Sequence, residues 1–241
     1  MLIIAEIGQN HNGVMGLALE MIHAAKEHGA DIAKFQLYDV DRIFPKTFEW
    51  YAEGKQAQLT RDQVARLAEE CDRVGIEFSA SVFDLERFAW CEELGMRRYK
   101  VASRSIRDRE LISAIARTGK PMIASLGMWG EERFPDIVSR GVVEYLYCVA
   151  KYPTRWEELH FDEIDFSRYA GFSDHTLGVE AALVAAANGA RILEKHFTLD
   201  KEMHGPDHAC SMEPHELAEI AKYARRFEQL LTARRTAEVM A

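Results

Sequence analysis

The sequence predicts a single-domain α/β fold, a closed (β/α)8 TIM barrel, and three observations carry that expectation. Eight short apolar runs alternate with longer amphipathic stretches, the pattern of successive β–α units. A length of 241 residues suits one such barrel with almost no remainder. No low-complexity linker or finer repeat divides the chain, so one domain over residues 1–241 is expected. An open doubly wound sheet is the alternative; closure is preferred because eight strand–helix units fill the length.

The elements follow in order. "LIIAEI" (2–7) is the first strand, and the polar turn "GQNHNG" (8–13) leads away from it. "LALEMIHAAKEHG" (17–29) repeats apolar residues at i, i+3 and i+4 and stops at Gly29, so it is the first helix. "IAKFQL" (32–37) is the second strand. Residues 38–59 form the longest irregular stretch and read as a lid or active-site loop. "TRDQVARLAEECDRVG" (60–75) opens on a Thr cap, carries early acids and ends at Gly75. "EFSASV" (77–82) is a strand, and "DLERFAWCEELG" (84–95) repeats the helical plan with an Asp cap. "RYKVAS" (98–103) and "RDRELISAIARTGK" (107–120) make the fourth unit. "PMIASL" (121–126), "VEYLYC" (143–148) and "YAGFS" (169–173) are strands five to seven. "GVEAALVAAANGA" (178–190) is helical, "ARILEKH" (190–196) is the eighth strand, and "EPHELAEIAKYARRFEQLL" (213–231) is the last helix.

Composition narrows the function. A hydrophobic fraction of 48% suffices for a large core, while a net charge of −9 without a long basic block argues against nucleic acid or an anionic membrane as partner. A local group of Lys and Arg can still hold an anionic small molecule. The N-terminal run is too short for a membrane span and lacks the basic lead of a signal peptide. Four widely spaced cysteines, with no CxxC pair, fit a reduced cytoplasmic setting.

In such barrels the site lies at the C-terminal ends of the strands. Polar residues gather there: Glu6, Gln9, Asn10 and His11 after strand 1, Lys34 and Gln36 in strand 2, Ser79, Ser81 and Asp84 around strand 3. Lys100 and Ser103, Ser125, Lys151 and Tyr152, Ser173 to His175, and Glu194 with His196 continue the series. His175 and His196 end neighbouring strands and suit a shared divalent metal such as Mn, Fe, Co or Zn, with Asp174 and Glu194 orienting the rings or holding a bound water. Two capping or core histidines are the alternative. Lys34 and Lys100, with Ser81, Ser103, Ser125 and Ser173, suit a phosphate and a carboxylate. Lys34 as a Schiff-base lysine is another option. Asp207, in the loop "GPDH" (205–208), is either a ligand for a sugar hydroxyl or part of a plain turn.

The segments "AEIGQNHNG", "AKFQ", "YKVAS", "SLGM", "YPT", "GFSDHTLG", "EKHFTLD" and "GPDH" occur in that order. Together they resemble the sialic acid synthase family over about residues 3–230. The resemblance implies a (β/α)8 catalytic barrel that condenses phosphoenolpyruvate with N-acetylmannosamine or a related aldose. It implies that His175 and His196 hold a divalent metal, usually Mn2+. Lys34, Ser81, Lys100, Ser103, Ser125 and Ser173 match phosphoenolpyruvate positions, and Glu6, Gln36, Tyr152 and Asp207 match positions facing the sugar. A homodimer is expected on the same ground.

The chain departs from the family pattern in three places. Arg104 and Ser105 stand where Gly-Glu is common, so Glu6 or Glu194 is expected to take over acid–base work. In "YCVAKYP" Tyr147, Val149 and Ala150 replace a His and polar groups, and Lys151 is expected to compensate. The family's C-terminal antifreeze-like domain has no counterpart in this sequence, so an altered sugar pocket and a separate lid protein are expected. Two other functions compete: a metal-dependent pyruvate aldolase, and a non-catalytic barrel that binds without turnover.

Overall fold

Parallel strands bury both faces and need a neighbour on each side; here eight strands pair in chain order until the sheet closes on itself. The computed structural model describes residues 1–240, with side chains to residue 232; residue 241 of the expected domain lies outside the described residues. The strands are β1 (Leu2–Gly8), β2 (Ile32–Leu37), β3 (Glu77–Val82), β4 (Tyr99–Val101), β5 (Met122–Ser125), β6 (Val143–Cys148), β7 (Gly171–Asp174) and β8 (Ile192–His196). The expected bounds hold for β2, β3 and β6; β4 and β5 are shorter, and β7 runs on through Asp174.

The helices are α1 (Met15–Glu27), α2 (Val40–Ile43), α3 (Tyr51–Ala57), α4 (Arg61–Val74), α5 (Leu85–Glu93), α6 (Arg109–Thr118), α7 (Glu180–Ala187) and α8 (Pro214–Met240). Their starts follow local chemistry. Thr60 and Gln63 form a reciprocal capping box on α4, which ends at Gly75 with φ 73°. Asp84 accepts from the Arg87 N–H and Asp108 from the Leu111 N–H. Asp84, a polar candidate near strand 3, is therefore the cap of α5 and is ion-paired to Arg87.

Two expectations are corrected. Residues 38–59 are not irregular, because they carry α2 and α3, which fold over the barrel mouth. The barrel also does not contain eight strand–helix units: among the described residues, no α-helix links β5 to β6 or β6 to β7. Gly127, Gly130, Pro135 and Gly141 break any helical period in the first link. The second has only the 3-10 turns Trp156–Glu158 and Phe161–Glu163. Aromatic contacts cover the outer face of β6 instead: Tyr145 meets Phe134, and Tyr147 meets Tyr169 and Phe172.

Alternation along each strand sorts the core into two bodies. Ile3, Ala5 and Ile7 face the helices and join the large outer core. Ile4, Ile32, Ile123, Leu146 and Ile192 point inward and, with Ala170, make an apolar barrel floor. Each such side chain contributes roughly 1.5–3 kcal/mol by burial. Gly171 lets β7 approach β8 closely, since a Cβ there would stand 1.8 Å from the Ile192 carbonyl oxygen.

Candidate active site

One inward step above the apolar floor, the residues turn polar. Register places Glu6 between Lys34 of β2 and His196 of β8. Gln36 lies beside Ser81, Ser81 beside Lys100, and Ser173 beside Glu194. These positions line an inner cavity of about 40 Å³, together with Cys148. Of the residues that the family resemblance assigns to metal, phosphoenolpyruvate or sugar, all but Asp207 line it, and Asp207 lines a wider outer cavity of about 510 Å³. The two cavities share Gln36, Ala102, Ser103, Tyr152 and His196.

The inner cavity is a buried charge network. Lys34 Nζ lies 2.5 Å from Glu6 Oε2 and 3.5 Å from Glu194 Oε2, and it donates to Ser81 Oγ at 3.0 Å. Lys100 Nζ lies 3.2 Å from Glu194 Oε1 and donates to Ser125 Oγ at 2.7 Å. Ser173 Oγ donates to Glu194 Oε1 at 2.8 Å, and Gln36 donates to Glu6 Oε1 at 2.9 Å. Burial opposes the Lys34 ammonium, but Glu194 and then Glu6 outweigh it and raise its pKa. For Lys100 burial wins over Glu194, and its pKa is pushed down. Burial alone would raise Glu194, yet Lys100 and Lys34 hold its carboxyl below the usual carboxylate range. Ser103 Oγ accepts from the Gly127 N–H at 3.2 Å.

The two histidines meet at the top of this network, with ring centroids 5.7 Å apart. His175 Nδ1–H donates to the Val149 carbonyl at 2.7 Å, which orients the ring; burial opposes its charged form, but Cys148 and this carbonyl outweigh burial and raise its pKa. His196 Nδ1 is buried without a hydrogen-bond partner among the described residues, and Asp207 Oδ2 lies 3.9 Å away. Burial lowers the His196 pKa and favours neutral imidazole. Two ring nitrogens near carboxylates are a donor set that suits Mn, Fe, Co or Zn, with the ion displacing the proton that His175 is inclined to keep. Tyr152, half exposed, packs its ring 4.1 Å from His175. A separate group of ligand-type atoms, Glu213, His215 and Glu216, lies at the start of α8; there Glu216 already holds Lys201 at 2.5 Å.

The structure corrects three expectations. Glu194 does not orient His196, because Lys34, Lys100 and Ser173 take its carboxylate and His196 Nδ1 is left without a partner among the described residues. Asp174 does not orient His175, since it points outward and pairs with Lys195 at 2.9 Å. The Val149 carbonyl holds the His175 ring instead. Lys151 does not compensate for Val149 and Ala150; it is exposed and pairs with Glu158 outside the cavity. Asn10, also a polar candidate, donates to the Phe197 carbonyl and Ser211 Oγ and so ties the first and last loops together. His11 is buried beside Phe35 and accepts from the Gly13 N–H. Cys148 reads in the sequence as a small core residue, yet its Sγ stands 3.8 Å from His175 Nδ1. An aromatic wall from the lid, with Phe44, Phe48 and Trp50, closes one side of the outer cavity. No sequence signal marked it, because those residues fall outside any period.

The chain is similar to known proteins over most of its length. The NeuB family model matches residues 21–236. The chain belongs to the NeuB family. This NeuB-family chain is 34% identical to N-acetylneuraminate-9-phosphate synthase from Homo sapiens, over 95% of its own length and 70% of that protein. It is 32% identical to N,N'-diacetyllegionaminic acid synthase from Legionella pneumophila, over 95% of this chain and 72% of that one. A crystal structure of N-acetylneuraminic acid (sialic acid) synthetase from Leptospira borgpetersenii, in complex with citrate, matches with a TM-score of 0.87 at 31% identity. That match covers 95% of this chain and 84% of the other. Among the described residues, no helix is long and apolar enough to cross a membrane.

Proposed function

We propose that this NeuB-family enzyme condenses phosphoenolpyruvate with an aldose or other aldehyde, giving a 2-keto-3-deoxy sugar acid and phosphate. The observation that carries the reading is the convergence of two buried lysines, their serine partners and two histidines on one barrel mouth. Lys34 and Lys100 neutralise the phosphate and carboxylate, and the hydroxyls of Ser81, Ser103, Ser125 and Ser173 supply directed hydrogen bonds. In this structure Glu194 holds both lysines, so the incoming anion shares them with it.

The reaction balances with one water. C3 of the enol attacks the aldehyde carbon, a C–C bond forms, and the aldehyde oxygen takes a proton. Water adds at C2, the C2–O bond to phosphate breaks, and a ketone remains. Glu6, 2.5 Å from Lys34 and in register with His196, handles protons at the sugar end. Glu194, kept ionised by both lysines, fixes their positions; Gln36, Tyr152 and Asp207 face the sugar. Two lysines and two carboxylates balance in the inner cavity, so an incoming anion needs a further cation there. His175 and His196 would hold that divalent metal, which we take as Mn2+, and it would polarise the aldehyde oxygen as a Lewis acid.

The protonated, doubly ion-paired Lys34 speaks against a Schiff base, which needs a neutral amine. One observation favours binding without turnover: Ser105, at the place of a family glutamate, is buried in a 3-10 turn and offers no carboxyl. The test is incubation with Mn2+, phosphoenolpyruvate and a panel of aldoses, following phosphate release and product mass. Phosphate release with an aldose-plus-pyruvate adduct supports condensation. Turnover with pyruvate alone would support the aldolase, and phosphoenolpyruvate binding without release the silent barrel.

A further inference from the structure

We propose that the acceptor sugar carries a phosphate ester remote from its aldehyde and that Arg104 receives it, a specificity that rests on the condensing reaction proposed above. Arg104 follows Ser103 at the mouth end of β4, in the 3-10 turn Ser103–Ser105. The outer cavity has two lining residues of opposite formal charge, Arg104 and Asp207. Asp207 belongs to the histidine end, 3.9 Å from His196 Nδ1 and accepting from Gln9. Arg104 belongs to the aromatic end, with its guanidinium carbon 4.7 Å from the Phe44 ring centroid and 5.9 Å from that of Phe83. An acceptor whose carbonyl lies at the histidines therefore extends its far end toward a cation.

The guanidinium is held but not neutralised. One terminal nitrogen donates to the Ile43 carbonyl at 2.9 Å. Unlike Arg87 and Arg98, which pair with Asp84 and Glu77, Arg104 has no carboxylate ion pair among the described residues. Stacking occupies the face of the group and leaves edge N–H donors for a ligand, the fork that matches phosphate oxygens. Burial pushes its pKa down without taking the charge away, since the ordinary value is so high. A solvent-exposed guanidinium on the wall of a substrate-sized cavity, without a carboxylate partner among the described residues, is an anion receptor with one stacking face and one open edge.

The competing role is a clamp that pins the lid through Ile43 and Phe44. Arg104→Gln separates the two, because the amide keeps a donor for Ile43 and loses the charge. The full chain, with Mn2+ and phosphoenolpyruvate, is assayed on matched pairs: N-acetylmannosamine and its 6-phosphate, ribose and its 5-phosphate, erythrose and its 4-phosphate. The expected result is a phosphorylated member preferred in kcat/KM, with that preference falling roughly ten- to a hundredfold in R104Q, the loss of one charge-assisted contact. Arg104→Lys should restore part of it. Preference for the neutral members, or a ratio unchanged in R104Q, overturns the proposal; equal proportional losses on both members mean a clamp. If no acceptor releases phosphate, the condensing reaction itself fails, and binding decides the residue. Calorimetric titration of N-acetylmannosamine 6-phosphate should then show at least about tenfold weaker binding to R104Q. Equal affinity, or no binding to the parent, overturns the assignment.

Discussion

Lys195→Met tests the strand parity on which the site rests. Lys195 and Asp174 leave β8 and β7 toward the helices, 2.9 Å apart, with side chains 3% and 1% exposed. Methionine replaces the lysine stem but leaves the Asp174 carboxylate buried, with the Thr176 N–H at 2.8 Å as its remaining donor. Removing one partner of a buried ion pair costs about 3–5 kcal/mol, because the other charge stays desolvated. For a chain of this length each kcal/mol moves Tm by about 2–4 °C, so Tm should fall by roughly 6–20 °C. Thermal melts and urea midpoints measure this. Asp174→Asn combined with Lys195→Met removes the stranded charge and should recover most of the loss. Because the pair faces away from the cavity, turnover per folded molecule in the double variant should stay within about threefold of the parent, inside the range of mutations remote from chemistry. A Tm change below about 2 °C in the single variant would refute the desolvation argument. A large activity loss in the folded double variant would refute the outward assignment of Asp174.

The remaining expectations concern the mouth and the first loop. His175→Ala should remove metal-dependent turnover, by roughly a thousandfold if the ion supplies several kcal/mol, while the melting curve stays near that of the parent. Equal parent activity with and without chelator would count against the metal. Lys100→Ala should raise the phosphoenolpyruvate requirement by roughly ten- to a hundredfold; an unchanged KM removes Lys100 from the anion site. His11 is pushed down to about 4 by burial, so the folded chain resists charging it. Its neutral form stabilises the fold fully above about pH 6.5, and that contribution, about 3 kcal/mol, is lost as pH falls from 6.5 to 4. Urea midpoints at several pH values in parent and His11→Asn measure this; identical pH slopes would falsify it.

Several parts of the molecule are legible in the chain because they depend on neighbours in sequence. The Thr60 and Asp84 caps, the Gly75 stop and the alternation of β2, β3 and β8 are local, and so are visible. Alternation also separates Glu194 and His196 from Lys195 by parity alone, and the same rule places Asp174 outside. The missing helices after β5 and β6 were harder, because a length count assigns each strand a helix whether or not its residues can form one.

Which side chain holds which was a matter for the closed sheet. Lys34 and Lys100 lie 66 positions apart in the chain, and only closure brings Glu194 between them, so that opposite charge rather than burial sets the state of Lys34. The Val149 carbonyl orients His175, and no residue type predicts a backbone acceptor. Phe44, Phe48 and Trp50 acquire a role only when α2 and α3 fold over the mouth, where they line the outer cavity and Phe44 meets Arg104. By itself the sequence determined the barrel, the ends of its strands and the kinds of group gathered there, since those follow from period, capping and alternation. Tertiary structure alone decided the pairings, charge states and cavity walls, because these depend on distances between residues far apart in the chain.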